Sequence, residues 1–189
     1  SRAGRRKVTL AHKANTFNKS DGLWLQCAEE VSRRFPWLEV EDQLVDYLAM
    51  QIARSPRRYE AILANELFGG VIGDLATGLA GGVGMVPHVY YGEKGVIYTS
   101  AHGTAPKYSV LDRANPCAMI LSASALLAEA GEERASREME SALNDTLASG
   151  FRTVDILGAE PGTPASTTAF TEAVISRISR HAFSADFQG

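Results

Sequence analysis

Three groups of residues in the 189-residue chain have the types and order that chemistry requires. The first is His12-Lys13-Ala14-Asn15, which follows an apolar stretch that reads as a strand. Polar side chains at the carboxyl end of a strand face a cleft in many α/β folds. A plain solvated strand end uses the same residue types. The second group is Asp46 and Asp74, each near a predicted helix. Brought together, two carboxylates suit Mg²⁺ or Mn²⁺, hard cations that take oxygen ligands; apart, they are surface charges or helix caps. The third is His102-Gly103-Thr104-Ala105-Pro106-Lys107-Tyr108, followed by Asn115-Pro116. A glycine-containing loop running into a helix start offers backbone amides, and Lys107 adds positive charge, a combination suited to phosphate. A simple turn explains the Gly and the Pro equally well.

The elements that must position these groups can be read from apolar spacing. Val8 and Leu10 read as a strand ending at His12-Lys13, and a helix starts near Ser20 or Asp21, either of which can cap it. Leu23, Cys27 and Val31 form a stripe that needs a core to pack on. Residues 37–40 resemble a second strand, Val45, Leu48, Ala49 and Ile52 have helical spacing, and residues 61–64 read as a buried strand. Helix is expected over 68–79, strand over 96–98, and a loop over 102–114. Asn115-Pro116 opens another helix, with Asn as cap, and Met119, Leu121 and Leu126-Leu127 make it mostly buried. Residues 132–149 form a charged helix, 152–156 a last strand and 167–179 a last helix, with Phe170, Val174 and Ile178 on one face. Strands alternating with helices indicate an α/β fold.

Composition narrows the function. The formal net charge is -3, from 19 Lys plus Arg against 22 Asp plus Glu, which disfavours a basic nucleic-acid binder. No apolar run reaches the ~20 residues that span a membrane. The basic start is not followed by a signal-peptide core, so cytoplasm is the default. Cys27 and Cys117 make neither a disulfide framework nor a zinc site.

The order of the groups adds a resemblance. Val8-Thr9-Leu10-Ala11-His12-Lys13-Ala14-Asn15 with Asp21-Gly22-Leu23, then Leu44-Val45-Asp46-Tyr47-Leu48-Ala49-Met50-Gln51, then Asn65-Glu66-Leu67-Phe68-Gly69 leading to Asp74, resemble the isocitrate/isopropylmalate dehydrogenase family. These are metal-dependent β-decarboxylating dehydrogenases. The likeness continues through Leu79-Ala80-Gly81-Gly82-Val83-Gly84-Met85-Val86-Pro87, the loop His102 to Tyr108, Ala114-Asn115-Pro116 and Phe151-Arg152-Thr153-Val154-Asp155. It covers nearly the whole chain but only the second half of the family's length. The resemblance implies half of a doubly wound large domain (81–189) plus part of the small dimerisation and metal-site domain (1–80). Lys13 would match the lysine that handles protons during decarboxylation, with Asn15 beside it, and Asp46 and Asp74 would match metal-binding aspartates. Lys13, Asn15 and Asp46 would serve the partner's active site, and Asp74 its own. His102, Gly103, Thr104, Ala105, Lys107, Tyr108 and Asn115 would hold the adenosine half of NADP or NAD. Lys107-Tyr108 looks like the pair that grips the 2′-phosphate of NADP.

The chain also departs from the pattern. Gly70 stands where the family has a metal-binding aspartate, Thr99 replaces a glutamate near the nicotinamide ribose, and Val154 replaces a further phosphate contact. The arginine-rich segment that grips a hydroxy-dicarboxylate or tricarboxylate substrate is missing, and so is a tyrosine that assists protonation. Three expectations follow: a half-enzyme active only with a complementary chain, a non-catalytic subunit that keeps the dimer surface, or a piece of a longer enzyme. In each, Trp24, Val31, Val45 and Leu48 are expected to supply a homotypic interface.

Overall fold

In the computed structural model the described residues are 4–106, 108, 110–159 and 161–185, with 179–185 as backbone. They divide into two compact units, Ser1–Leu79 and Ala80–Gly189.

In the first unit, β1 (Lys7–His12) lies between β2 (Glu39–Leu44) and β3 (Ala61–Ala64) in a parallel sheet of order β2-β1-β3. Parallel neighbours need a crossover. Helix α1 (Ser20–Ser32) carries the chain from β1 to β2, and α2 (Val45–Arg54) leads on towards β3, which α3 (Glu66–Leu79) follows. Central β1 is covered on both faces, so Thr9, Leu10, Ala11 and His12 are all buried. Leu48 and Ile52, one turn apart on α2, pack with Ala11 of β1 and Ile72 of α3 to form the core.

The second strand was expected at 37–40 and instead runs through Glu39–Leu44. Its polar residues are held by cross-strand partners: Lys7 Nζ lies 3.1 Å from Glu39 and 2.9 Å from Glu41, and the Thr9 hydroxyl donates to Glu41. The α1 stripe is not covered by the chain's own core: Leu23 is 62% exposed and Val31 47%. Leu48, expected at a homotypic surface, is fully buried in the unit's own core, and Val45 packs against that core.

The second unit begins with a 3-10 turn at Val83–Met85 and an antiparallel hairpin, β4 (Pro87–Tyr91) and β5 (Val96–Ser100), closed by Gly92 N–H donating to Gly95 O. Apolar spacing predicts β5 and not β4. Four helices follow: α4 (Cys117–Glu129), α5 (Glu133–Ala148), the single turn α6 (Val154–Leu157) and α7 (Thr167–Ala185). Phe170 and Val174 of α7 meet Cys117, Ala142 and Leu143 in the core, with Ile178 packed against it, as their spacing predicted.

Two expectations are corrected here. Met119 and Leu126 are 52% and 47% exposed, because α4 buries small residues instead. Its Ala118 and Ser122 are buried, and Ser122 Oγ donates to the Thr99 carbonyl of β5. The strand expected at 152–156 is the turn α6. Thr153 is extended at the cap position, its hydroxyl donates to Asp155 Oδ1, and Gly158 at φ 57 ends the turn. No helix among the described residues is long and apolar enough to cross a membrane.

Candidate functional site

Each unit brings together one set of the expected residues. In the first, β1 ends at His12 and the chain turns at once, with Thr16 and Phe17 N–H both donating to Lys13 O. Lys13 N–H donates to Asp21 Oδ2 at 2.7 Å, and that carboxylate is only 5% exposed. Asp21 therefore braces the loop and does not cap α1, where Lys19 holds the cap position. Ala14 N–H donates to His12 Nδ1 at 3.1 Å, which requires a lone pair on that nitrogen. The ring proton then sits on Nε2 and donates to Asp42 Oδ2 at 3.0 Å.

The peptide of Lys13 is thus fixed on both sides while its side chain reaches Asp46. Nζ lies 2.7 Å from Asp46 Oδ1, and this contact holds the Asp46 carboxyl below the usual carboxylate range. Asp46 opens α2, so two residues far apart in sequence meet at the carboxyl ends of adjacent parallel strands. Asn15 is exposed in the turn beyond.

Asp74 is exposed on α3. Gly70 lies one turn before it, where a Cβ would meet nothing within 4 Å. Among the described residues no three His, Cys, Asp or Glu side chains gather to hold a metal ion. With Asp46 engaged by Lys13 and no side-chain oxygen on Gly70, the described donors of one chain do not fit Mg²⁺ or Mn²⁺.

The second unit has a half-open cavity of 360 Å³, within the range of small-molecule sites. Val83, Ala105, Ala114 and Val154 give it aliphatic walls, and His102, Tyr108, Arg113, Asn115 and Asp155 give it polar ones. Asn115 is 8% exposed and makes three hydrogen bonds: Oδ1 accepts Cys117 N–H at 2.9 Å, and Nδ2 donates to Asp155 Oδ2 at 3.0 Å and to Met85 Sδ at 3.4 Å. The first of these bonds caps α4, one residue later than the sequence predicted. Asp155 Oδ1 accepts the Thr153 hydroxyl at 2.6 Å, which fixes the carboxylate from its other side. His102 Nδ1 donates to Gly103 O at 2.9 Å and leaves Nε2 as an acceptor.

Gly84 makes this approach possible. A Cβ there would lie 2.7 Å from Asn115 Cβ and 2.9 Å from Asp155 Oδ2. A cavity with aliphatic walls, an amide and a fixed carboxylate fits a flat heteroaromatic base with a ribose. The adenosine half of a dinucleotide passes this test.

Of the residues expected at this site, His102, Ala105, Tyr108 and Asn115 line the cavity and Gly103 and Thr104 do not. Lys107 lies outside the described residues. Gly84, Arg113 and Asp155 were not singled out from the sequence, although Gly84 and Asp155 fall within strings that carried the resemblance. Burial, with the nearby Asp155 carboxylate, pushes the Cys117 thiol up to about 12.

A family model described as isocitrate/isopropylmalate dehydrogenase matches residues 1–174. The chain is 38% identical over 174 residues to isocitrate/homoisocitrate dehydrogenase of Thermus thermophilus, covering 92% of this chain and 51% of that protein. It is 35% identical to a protein of Dictyostelium discoideum named as a regulatory subunit of mitochondrial NAD isocitrate dehydrogenase, covering 93% and 49%. The crystal structure of isocitrate dehydrogenase from Methylococcus capsulatus superposes with a TM-score of 0.86 at 34% identity, covering 94% of this chain and 52% of that one. The chain spans about half the length of the curated relatives it matches. Agreement this even along nine-tenths of the sequence, in fold as well as in residues, makes the chain a member of the isocitrate/isopropylmalate dehydrogenase family.

Proposed function

We propose that the second unit binds the adenosine half of NADP or NAD in the 360 Å³ cavity. The chain then serves as the C-terminal part of an oxidative decarboxylase acting on a 2-hydroxy acid of the isocitrate or isopropylmalate type, together with a complementary chain. The observation that carries this reading is the Asn115–Asp155 pair, held by further hydrogen bonds to Cys117 and Thr153 and backed by a glycine whose Cβ would collide with both. Asp155 has acceptor capacity to spare for a ribose hydroxyl or a base amino group, and His102 Nε2 is a second acceptor.

When bound, the dinucleotide accepts hydride from the carbon that carries the hydroxyl. Lys13 holds a proton at Nζ. The ammonium rests 2.7 Å from Asp46 Oδ1, and a substrate that displaces this carboxylate brings Nζ within reach for proton transfer during decarboxylation. Mg²⁺ or Mn²⁺ needs more donors than one chain brings together, and Asp46 and Asp74 of two copies are the available carboxylates. The uncovered Leu23 and Val31 on α1 support such self-association.

Lys107 beside Tyr108 favours NADP, by ~1–3 kcal/mol, the range of a hydrogen bond to a charged group. The test is calorimetric titration of the full chain with NADP and NAD, beside Asp155→Ala. Saturable binding that weakens about tenfold or more in the variant supports the reading. No binding, or binding that ignores Asp155, overturns it.

The second reading, a non-catalytic subunit, is favoured by one comparison and two residues. A relative named as a regulatory subunit is nearly as similar as the Thermus enzyme, 35% against 38%. Gly70 and Thr99 add to it. Reconstituting the chain with a complementary partner separates the two: Lys13→Met abolishes turnover in the first case and leaves it intact in the second.

A further inference from the structure

We propose that Asp112 is a positioning residue for the nucleotide cavity, clipping the wall formed by Arg113, Ala114 and Asn115 to the N-terminus of α7. The proposal rests on the nucleotide reading above and deepens it. Asp112 Oδ1 accepts the N–H and the hydroxyl of Thr168, both at 2.9 Å. Its carbonyl accepts Thr167 N–H at 2.9 Å, and the Thr167 hydroxyl donates to Ala114 O at 2.6 Å. Four hydrogen bonds therefore join two short stretches more than fifty positions apart.

The two ends differ in rigidity. Phe170, three residues into α7, is fully buried, and Val174 one turn later is 2% exposed, so α7 is anchored in the core. The wall is anchored at buried Asn115, whereas Leu111, Asp112, Arg113 and Ala114 ahead of it are all exposed. The exposed stretch of the wall, Arg113 and Ala114, is thus held between Asn115 on one side and the Asp112 clip to α7 on the other.

The backbone shows the same constraint. Asp112 sits at φ 47, and Ala105, also in this loop, at φ 42; they are the non-glycine residues with positive φ among those described. Side chains disfavour this region, Asp and Asn least. A residue that both tolerates it and carries an acceptor for a helix N-terminus is a narrow choice. The donors of Ser166 and Thr168 also hold the Asp112 carboxyl below its ordinary range.

Two variants separate the clip from the backbone. Asp112→Gly keeps the left-handed conformation at no steric cost and removes the acceptor. Asp112→Asn keeps an acceptor oxygen and tolerates the same φ. The probe is 2′,5′-ADP, titrated calorimetrically into the full chain well below its thermal transition, with the Tm of each variant recorded. We expect Asp112→Gly to weaken binding about tenfold and Asp112→Asn to stay within about threefold of the parent, because the clip acts by preorganising the wall. A Tm that falls in both variants with unchanged affinity makes Asp112 merely structural and overturns the proposal. Equal loss of affinity in both does the same. Binding lost in Asp155→Ala but kept in Asp112→Gly removes the positioning role alone; failure of the parent to bind 2′,5′-ADP, NADP and NAD alike removes the nucleotide reading with it.

Discussion

Replacing Gly84 with alanine tests whether the cavity depends on close backbone approach. The new Cβ would sit 2.7 Å from Asn115 Cβ, 2.9 Å from Asp155 Oδ2 and 3.0 Å from Asn115 Nδ2. Ordinary contact begins near 3.4 Å, so the neighbours must retreat by roughly 0.7 Å. Asn115 cannot retreat freely, because Oδ1 holds the first amide of α4 and Nδ2 holds Asp155. Overpacking of this kind costs ~1–3 kcal/mol, and weakening a bond to a carboxylate keeps the total in the upper half of that range. Gly84 does not have positive φ, so backbone strain adds nothing. At about 4 °C per kcal/mol for a unit of this size, the transition of the second unit falls by ~8–12 °C. Differential scanning calorimetry measures that shift, and NADP titration measures the accompanying loss of affinity. A Tm within about 2 °C of the parent, with affinity unchanged, would refute the close-packing argument.

Three other outcomes are expected. Gly70→Asp places a carboxylate in open space one turn before Asp74 and should tighten Mg²⁺ binding by about tenfold or more; calorimetry with the metal alone checks it. Lys13→Met removes the partner of an exposed Asp46 and should leave the Tm within about 2 °C, while the reconstituted activity is lost if the first functional reading is right. For Asp112 the folded carboxyl lies below its ordinary 3.8, so its contribution is fully present above that pH and is lost as pH falls through the lower folded value. Acid unfolding followed by circular dichroism should therefore shift least with pH below 4 in Asp112→Asn.

Much of the fold could be read in the sequence where burial is periodic and local. Leu48 with Ile52, and Phe170 with Val174, repeat at helical spacing and are core residues in the structure. Asn115 was expected at the cap position of α4; Pro116 holds that position, and Asn115 accepts the first helical amide from one residue earlier. The misses share a cause, which is that long-range partners override local pattern. The polar run of β2 is strand because Lys7 and Thr9 lie beside it, and neither is near in sequence. β-Branched Thr153, Val154 and Ile156 imitate a strand, but no strand among the described residues pairs with them, and the Thr153–Asp155 bond closes a turn instead. The α1 stripe looked like a core face because apolar spacing reports that a face is to be covered and not what covers it.

The same limit governs the site. Lys13, Asp46 and Asn115 were nameable from residue type and order, whereas Gly84 and Asp155 matter only because the fold brings them against Asn115. The two sets are also held by different physics. Around Asn115 the amide is committed at both ends and the neighbouring Cβ space is filled, so the cavity is formed before any ligand arrives. Around Lys13 only the peptide is fixed, by Asp21 and the following turn. Its ammonium rests on Asp46, whose side chain is 64% exposed, and an exposed ion pair is readily exchanged. A substrate carboxylate or enolate can therefore compete for the lysine without dismantling the loop that presents it. On the function proposed above, nucleotide binding should consequently survive in this chain alone, and proton transfer should be restored only by adding a complementary chain.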